Sequence, residues 1–472
     1  MWLRQTAWRM ERVFLVLYLV LGLLGGAAFA PFQAPDEIGH LFRACAVAEG
    51  QLVAEVRPET HEAGSFQPVL AGWPADAVQT DEFVPLLGDR AWVRHIRWLS
   101  CSGWQEAGSF WQLEFDDSRR EFCNIPTLAL YAPVNYAVPA AGIMLAGLFT
   151  GKLMIFLYAG RLLNWLVSGI CLYAAIRCVP RRWQWLWLAA ALLPMNLQEY
   201  FSLAPDGMVF ALSALFLALV LHWREQGRRL SSGSLSVLYG MVAMLALSKI
   251  VYLPLVLTAL LLPQRCFGGV GRRRLHLAAA GLLALALNLL WLGVAAHVLA
   301  VSGPPWSDPA AQKSFILHEP LVYLGILART FAGWGWEFLF QMLGGELGWF
   351  TIHISPYLVA ACGSLLLLAG LAGNGSQWRM ERAERIGLLL LVLGETVLVS
   401  AALYVQWTPL QSPVINGIQG RYFLPLLLPL GLALLPLDGW DGLSGRWGQR
   451  IFVSLLGLMD AAILLQAARQ VI

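Results

Sequence analysis

The stretch that decides the fold is Val13 to His40, which reads VFLVLYLVLGLLGGAAFA and then PFQAPDEIGH. Its first 18 residues carry no charge, which is long enough for a helix to cross the hydrocarbon core of a bilayer. A proline-rich turn ends this run and carries Asp36, Glu37 and His40 to the membrane surface. Ionisable groups at such a position are usually paired or functional, so this turn is the first candidate site.

The composition fixes the class of protein. The chain of 472 residues is 58% hydrophobic and 13% charged, with a mean hydropathy of +0.62. So much apolar surface cannot be buried in one globular core, and we expect an all-α polytopic membrane protein. The net charge of +3 is small, so we expect no nucleic-acid partner.

Apolar runs predict about eleven membrane crossings. Nine lie near residues 13–30, 153–177, 183–198, 206–223, 277–301, 353–373, 386–405, 422–437 and 451–468. Residues 234–262 are too long for one crossing and short for two. A single crossing would place Arg265 and Arg272 outside, against the positive-inside bias, so we expect two short helices meeting at Ser248-Lys249-Ile250. The amino terminus is then inside and the carboxyl terminus outside.

The same bias decides the organisation of the remaining segments. Residues 128–151 are apolar enough to cross, but a crossing there would turn the later basic loops outward, so we expect a helix on the outer surface.

The predicted units are a first transmembrane helix (1–30), an external cap with a membrane-surface helix (31–152), a transmembrane bundle (153–301), an external loop (302–352) and a C-terminal transmembrane bundle (353–472).

The external cap has its own composition. Residues 31–127 hold 15 acidic and 7 Arg residues together with Trp73, Trp92, Trp98, Trp104 and Trp111. So many tryptophans favour a folded module over a solvated loop. Cys101 and Cys123 share this segment, and an oxidising compartment would allow a disulfide between them.

Several short motifs, in their order along the chain, carry a resemblance to known families. Pro35-Asp36-Glu37, the run from Tyr131 to Tyr136 (YAPVNY) and Arg161-Leu162 resemble the C-superfamily of membrane glycosyltransferases. Four further motifs resemble, more narrowly, the bacterial family called domain of unknown function 2142. They are Pro205-Asp206, Ser248-Lys249-Ile250-Val251-Tyr252, Gly345-Glu346-Leu347-Gly348-Trp349 and Gln419-Gly420-Arg421-Tyr422-Phe423-Leu424-Pro425.

The resemblance implies a function. It implies a GT-C-like enzyme that takes a sugar from a polyprenyl-phosphate donor and passes it, with inversion, to a cell-surface glycan or lipid-linked acceptor. The site would face the periplasm or outside of a bacterial inner membrane, among membrane lipids. In that superfamily an acidic residue of the first outer loop is the usual base, and the matching positions here are Asp36 and Glu37.

The chemistry of the residues points the same way. Transfer to a hydroxyl needs a carboxylate near the attacking oxygen, and Asp36 is the first choice. Glu37 is an alternative base or an orienting partner. Asp36 could instead cap the helix that follows it. His40 lies four residues after Asp36, on the same helical face, where it could orient the base, bind the donor phosphate or serve only the structure.

Three cations are candidates for holding the donor phosphate: Lys249, Arg421 and Arg161. Lys249 has no carboxylate nearby in sequence, so a phosphate would supply the missing charge. The alternatives are snorkelling to lipid headgroups for Lys249 and interface anchoring for the two arginines.

The remaining candidates would line a substrate groove: Asp206, Tyr252, Tyr422 and Tyr131. Asp206 could also simply begin a helix, and the tyrosines could belong to an aromatic belt. External carboxylates leave Mg²⁺ or Mn²⁺ open as cofactors, but we assign no metal site.

Two other functions compete with the transferase. A transporter or flippase of lipid-linked sugars would use the same groove without breaking bonds, and helices interrupted near Lys249 would suit it. A scaffolding subunit is the third possibility. The short inner loops contain no Walker pattern, so we expect no ATP-driven chemistry.

Overall fold

A computed structural model describes residues 9–59, 62–71, 103–302, 304, 306–372, 380–435 and 445–472 of the chain. The α-helices are Met10–Ala28, Glu37–Ala48, Trp104–Phe110, Pro126–Ala129, Ala137–Gly147, Leu153–Cys178, Gln184–Ala191, Pro194–Tyr200, Asp206–Gln226, Ser232–Leu247, Val270–Leu299, Pro309–His318, Pro320–Met342, Pro356–Leu371, Arg382–Gln406, Leu427–Leu434 and Arg446–Val471. The 3₁₀ helices are Pro133–Tyr136, Arg181–Trp183, Ile250–Leu261, Gln264–Cys266 and Gly420–Leu426. The strands are Glu55–Arg57, Glu62–Ala71, Glu114–Asn124, Glu346–Leu347 and Ile352–His353.

The protein is mostly helical and polytopic. Six helices in the described ranges are long and apolar enough to cross a membrane: Met10–Ala28, Leu153–Cys178, Asp206–Gln226, Val270–Leu299, Arg382–Gln406 and Trp447–Val471. A seventh crossing is possible if Pro309–His318 and Pro320–Met342, which are bent by 105° relative to each other, count as one span. By length and composition the count is therefore six or seven, and not the eleven expected from the sequence.

The difference arises from short helices. Four of the expected crossings fall on apolar helices of 10–17 residues: Ser232–Leu247, Ile250–Leu261, Pro356–Leu371 and Gly420–Leu434. The segment near 183–198 is broken between Gln184–Ala191 and Pro194–Tyr200. A full crossing takes ~20 residues, so none of these meets the length requirement alone.

Helix ends follow local sequence. Asp206–Gln226 ends at Gly227, whose φ of 61° suits a residue without a Cβ. The Ser231 hydroxyl caps the next helix by accepting from the Ser234 amide at 3.1 Å. Glu381 and Glu384 form a capping box at the start of Arg382–Gln406.

The expected pair of short helices around Lys249 is confirmed. Ser232–Leu247 is an α-helix and Ile250–Leu261 is a 3₁₀ helix that contains Pro254. Proline removes a backbone donor, which accounts for the irregular second arm. The two arms meet at Ser248 and Lys249, which therefore lie at the apex of a helical hairpin.

Basic residues gather at one end of the bundle, which we call the basic end. Arg224 donates to the Leu261 carbonyl oxygen at 2.8 Å and forms a bidentate pair with Glu384. Arg385 donates to the Ala433 carbonyl oxygen at 2.7 Å. Asp206 begins the helix that carries Arg224, and at ~1.5 Å per residue it lies about 27 Å away. We call the opposite end, which includes Asp206, the site end.

The cap contains a sheet that the sequence analysis did not predict. Its three antiparallel strands have the order Glu55–Arg57, Glu62–Ala71, Glu114–Asn124, with Phe66 opposite Phe122. The helix Glu37–Ala48 packs on this sheet. Trp73, Trp92, Trp98 and Cys101 lie outside the described residues, and the Cys101–Cys123 bridge stays a prediction.

Two helices lie beside the bundle at the site end. Ala137–Gly147 has 11 residues, about 16 Å at ~1.5 Å per residue, and is too short to cross. Pro320–Met342 has 23 residues and was expected only as part of an external loop. Near its start Tyr323 packs on Tyr404, with ring centroids 5.4 Å apart, and near its end Gln341 accepts from the Gly420 amide at 2.9 Å. Both contacts are with segments of the site end.

Candidate functional site

Asp36 occupies an unusual backbone position. It precedes the helix Glu37–Ala48 with φ of 58° and ψ of 13°, in the left-handed region that few non-glycine residues adopt. Its side chain makes no capping bond to that helix, in contrast to the capping role considered from the sequence. The side chain is exposed, and within the described residues it makes no hydrogen bond. Its oxygens are therefore available to a ligand.

Glu37, the next residue, is fully engaged. Arg161 Nε donates to Glu37 Oε1 at 2.7 Å, and Arg161 Nη2 bonds the other carboxylate oxygen. Both side chains are completely buried. Arg161 Nη2 also donates to the Ala30 carbonyl oxygen at 3.2 Å, and the Leu203 amide donates to Glu37 Oε1 at 3.3 Å. Glu37 and Arg161 are thus bound to each other, which favours a packing role; the roles of base or orienting partner for Glu37 and of phosphate ligand for Arg161 stay predictions.

Lys249 has a partner that the sequence did not suggest. Its Nζ donates to Asp206 Oδ1 at 2.6 Å, and both side chains are buried. No carboxylate lies near Lys249 in sequence, but the fold brings Asp206 to it, so its charge already has a partner. The Lys249 ammonium also lies 5.3 Å from the centre of the Tyr131 ring and 5.6 Å from that of Tyr422. One of its three donors is used by Asp206, and two aromatic rings face the group.

Arg421 is held loosely by comparison. Its Nη1 lies 3.6 Å from Glu199 Oε1, which is an ion pair but too long for a hydrogen bond. Arg421 Nε and Nη1 and Glu199 Oε2 are buried without a hydrogen-bond partner in the described residues. Sequence reasoning missed Glu199, although an acid at the end of an apolar run was a signal that could have identified it.

The charges converge on Asp36. Protein atoms crowd the Asp36 carboxyl although the residue as a whole is exposed, and this loss of hydration raises the pKa of Asp36; Asp206 adds to the rise, and Arg421 and Lys249 oppose it. These groups are therefore close enough to interact although they lie on four separate segments. A raised pKa strengthens a carboxylate as a base while it remains ionised near neutral pH.

His40 lies beside this group as a neutral side chain. Burial lowers its pKa to about 3, and the positive charges of Lys249 and Arg421 act in the same direction. Its Nδ1 is 2.9 Å from the hydroxyl of Tyr136. A neutral imidazole held by a tyrosine suits positioning, and it does not supply a cation for a phosphate.

Hydrogen bonds to backbone carbonyls hold the site elements together. Asn135 Nδ2 donates to the carbonyl oxygens of Leu247 at 3.1 Å and Ser248 at 3.2 Å, fixing the turn that carries Lys249. The Tyr252 hydroxyl donates to the Tyr422 carbonyl oxygen at 2.8 Å. Tyr252 therefore joins two site segments, and of the tyrosines predicted for the groove, Tyr131 and Tyr422 face Lys249.

Two cavities adjoin the charged group. A narrow apolar crevice with a cavity volume of about 10 Å³ lies between Asp206–Gln226, Ile250–Leu261 and the segment from residue 425 to 429. A second pocket, also of about 10 Å³, is lined by Pro35, Gln198, Gln341, Glu346, Gln419 and Arg421 among others. Arg421 lines the second pocket, and the apolar crevice begins at Phe210, about one helical turn after Asp206.

A metal site was left open by the sequence. In the described part of the chain, no three His, Cys, Asp or Glu side chains are grouped so as to hold a metal ion.

Comparison with protein families gives a match over most of the chain. Residues 19–430 match the family described as "Predicted membrane protein (DUF2142)". The chain belongs to this family. The match includes every candidate residue from Asp36 to Tyr422, so the site lies within the part of the chain that defines a DUF2142 protein. Comparisons with curated proteins and with solved structures found no match.

Proposed function

We propose that this DUF2142 protein is a membrane glycosyltransferase. It would move a sugar from a polyprenyl-phosphate donor to a hydroxyl of a cell-surface glycan or lipid-linked acceptor, at the outer face of a bacterial inner membrane. The observation that carries the proposal is one exposed carboxylate, Asp36, facing two buried cations, Lys249 and Arg421, at one end of a membrane bundle.

The proposed reaction is a single displacement. Asp36 accepts the proton of the acceptor hydroxyl, and the acceptor oxygen attacks the anomeric carbon of the donor sugar. The bond between that carbon and the phosphate oxygen breaks, and its electron pair leaves with the polyprenyl phosphate. Attack from the face opposite to the leaving group inverts the anomeric configuration.

The cations stabilise the phosphate as it leaves. Lys249 has ammonium donors beyond the one that binds Asp206, and two guanidinium nitrogens of Arg421 make no hydrogen bond to the part of the chain that the structure describes. Charge-assisted hydrogen bonds to phosphate are stronger than neutral ones, particularly in a site from which water is largely excluded. The phosphate would bind cations that are already paired, Lys249 with Asp206 and Arg421 with Glu199.

The apolar crevice supplies a place for the lipid. Phe210 lines it about one turn after Asp206, and Leu255 and Leu428 line it about two turns after Lys249 and Arg421. A polyprenyl chain whose phosphate lies at these cations would extend into this crevice. We also propose a GT-C-like architecture with eleven segments in the membrane. Six of them are the long helices, and five are short or broken segments.

The orientation follows from the two ends of the bundle. Arg224, Arg273 and Arg385 lie at the basic end, and short basic loops favour the cytoplasm. The site end then faces outward, where lipid-linked sugars are available and ATP is not.

The proposal is tested by transfer of radiolabelled sugar from a panel of polyprenyl-phosphate sugars to membrane extract. Asp36→Asn should lower the rate about 10²- to 10⁴-fold, the usual range for a positioned general base. Asp117→Asn, which changes an exposed acid on the cap strand Glu114–Asn124, is the matched control and should transfer at the wild-type rate.

The transporter alternative gives a different result. If Asp36→Asn transfers label as well as wild type does, and lipid-linked sugar crosses vesicles only when either protein is present, the transferase proposal fails. Glycosyl transfer lost in Asp36→Asn but kept in Asp117→Asn excludes transport as the sole activity.

A further inference from the structure

Arginines converge on one turn at the basic end of the bundle. Residues 264–269, which we call the arginine turn, directly precede the helix Val270–Leu299. The Leu230 amide donates to the Cys266 carbonyl oxygen at 2.8 Å, so the chain that leaves the helix Asp206–Gln226 is fixed against the same turn. Both helices are long and apolar enough to cross a membrane. The arginine turn therefore lies where two candidate spans end.

Three arginines from three segments border this turn. A Cβ added to Gly268 would lie 3.3 Å from Arg229 Nε and 3.6 Å from Arg272 Nη1, so both guanidinium groups adjoin the same glycine. Arg265 belongs to the turn itself, and a Cβ added to Gly227 would lie 3.0 Å from its Cζ. The two glycines, with φ of 76° and 61°, leave space that the arginines occupy.

The charges of these arginines are not balanced by nearby acids. Between residues 223 and 276 the sequence has eight Lys and Arg residues and a single acid, Glu225. Arg229 and Arg272 are exposed, and neither makes a hydrogen bond or an ion pair with any residue that the structure describes. Like charges repel, so cations gathered at one turn favour an anion between them.

Other arginines at this turn are held in place by backbone carbonyl groups. Arg265 Nη2 donates to the Arg224 carbonyl oxygen at 3.4 Å. Arg273 Nε donates to the Leu262 carbonyl oxygen at 2.7 Å, and its Nη2 donates to that of Leu260 at 2.8 Å. Carbonyl oxygens accept these hydrogen bonds but do not neutralise a guanidinium charge. The positive potential at the turn is therefore part of how the turn is built.

An apolar strip continues from the arginines along the helix Val270–Leu299. Leu275 follows Arg272 by three residues, which places the two on the same helical face. Leu282 and Leu289 follow at intervals of seven residues, and all three leucines are more than half exposed. On a helix that crosses a membrane, such a face contacts lipid tails. The cations and the apolar strip thus adjoin each other at the end of a span.

We infer that the arginine turn binds the headgroup phosphate of an anionic phospholipid, whose acyl chains lie along the leucine strip. Phosphate oxygens accept charge-assisted hydrogen bonds from several guanidinium groups at once. A free phosphate would balance the charge but leave the strip unused, so the whole arrangement fits a lipid. This site is at the opposite end of the bundle from Asp36, and the inference does not depend on the proposed transferase.

The test measures lipid binding to the full-length protein in detergent by native mass spectrometry. The protein is titrated in turn with phosphatidylglycerol, phosphatidylethanolamine and inorganic phosphate. Arg229→Gln combined with Arg272→Gln removes the two arginines that adjoin Gly268. The matched control, Arg228→Gln combined with Arg274→Gln, removes the same charge from exposed neighbours in the same two segments.

Wild type should retain phosphatidylglycerol in preference to phosphatidylethanolamine. Arg229→Gln with Arg272→Gln should weaken phosphatidylglycerol binding about 10- to 30-fold, because each arginine near an anionic lipid contributes about fivefold. The control should lose less than about threefold, since exposed charges away from the phosphate are screened by salt. All three proteins should unfold at similar temperatures without added lipid, because the substituted side chains are exposed.

An equal loss of binding in the two double variants would show diffuse attraction to basic loops and overturn the inference. Equal retention of phosphatidylglycerol and phosphatidylethanolamine by wild type would do the same. If inorganic phosphate binds as tightly as phosphatidylglycerol, the leucine strip contributes nothing and the lipid assignment fails. The comparisons among ligands use wild type alone, so they test the inference even if a double variant does not fold.

Discussion

Asp36 and Glu37 are neighbours in sequence and have opposite surroundings. Glu37 is completely buried, bonded to Arg161 through both oxygens and approached by a backbone amide. Asp36 is exposed, held on a left-handed turn, and faces cations that it does not bond. An ion pair with all of its oxygens bonded fixes how helices pack, whereas a carboxylate without hydrogen bonds can bind a ligand or accept a proton. The comparison separates the residue that holds the site together from the one that we propose as the base.

The largest expected effect tests the structural half of this comparison. Glu37→Gln leaves Arg161 charged in a site without water, and removing one partner of a buried pair costs about 3–5 kcal/mol. We expect a marked loss of folded protein and of thermal stability, measured in detergent or nanodiscs. Asp36→Asn should unfold near the wild-type temperature.

A second substitution distinguishes charge from shape at this pair. Glu37→Gln combined with Arg161→Met removes both charges and should recover part of the lost stability. Folded Glu37→Gln should keep its transfer rate per molecule. If Glu37→Gln is as stable as wild type, or if Asp36→Asn is the less stable of the two, the comparison is wrong.

An intermediate effect is expected at Lys249. Hydrogen bonds to charged groups contribute about 1.5–3 kcal/mol, so Lys249→Met should slow transfer by about 10- to 100-fold. Arg224→Met, which breaks the pair with Glu384 at the basic end, is the matched control, and folded protein should transfer normally. Equal rates for the two variants would remove Lys249 from the phosphate site.

The Lys249 effect can be divided further with its partner. In a cycle with Asp206→Asn, the two changes should couple, because Asp206 holds the Lys249 ammonium at 2.6 Å. Additive losses of transfer would show that the two residues act separately.

The smallest expected effect concerns His40 and pH. Its pKa is about 3 in the folded protein against 6.5 ordinarily, so below pH 6.5 the unfolded chain takes up a proton that the folded protein does not. Stability should therefore fall as pH falls from about 6.5 toward 3, by about 2 kcal/mol at pH 5. His40→Asn loses the bond to Tyr136 but escapes this penalty.

Thermal unfolding at two pH values checks the sign. The stability advantage of wild type over His40→Asn should be larger at pH 7.5 than at pH 5. An advantage that grows on acidification would mean that His40 is protonated in the folded state, and would return it to the list of possible phosphate ligands.

The long helices could be predicted because length and hydropathy are local properties. The expected crossing at 153–177 corresponds to the helix Leu153–Cys178, and the expected crossing at 206–223 corresponds to the first part of the helix Asp206–Gln226. The cap sheet was not predicted, because the strand Glu114–Asn124 (EFDDSRREFCN) is charged and shows no apolar alternation. The helix Pro320–Met342 was missed because Arg329 and Glu337 interrupt its apolar pattern.

The site was predictable in its members but not in its pairs. Motifs along the chain identified Asp36, Asp206, Lys249 and Arg421 as candidates. The sequence did not show that Lys249 bonds Asp206, or that Arg421 faces Glu199, because these partners come from separate elements whose packing sets the distance. A single sequence identifies charged residues in unusually apolar surroundings. The tertiary structure decides which of these residues form ion pairs with each other.

The hairpin with Lys249 at its apex would also set the depth of the proposed reaction in the membrane. Ser232–Leu247 has 16 residues at ~1.5 Å per residue, and Ile250–Leu261 has 12 residues at ~2.0 Å in a 3₁₀ helix. Both arms therefore measure about 24 Å, less than the ~30 Å of the hydrocarbon core. Lipids around this hairpin must thin locally, or the ammonium must lie below the level of the headgroups. In either case the polyprenyl-phosphate donor that we propose would reach Lys249 without leaving the bilayer, and a water-soluble acceptor would have to descend to meet it.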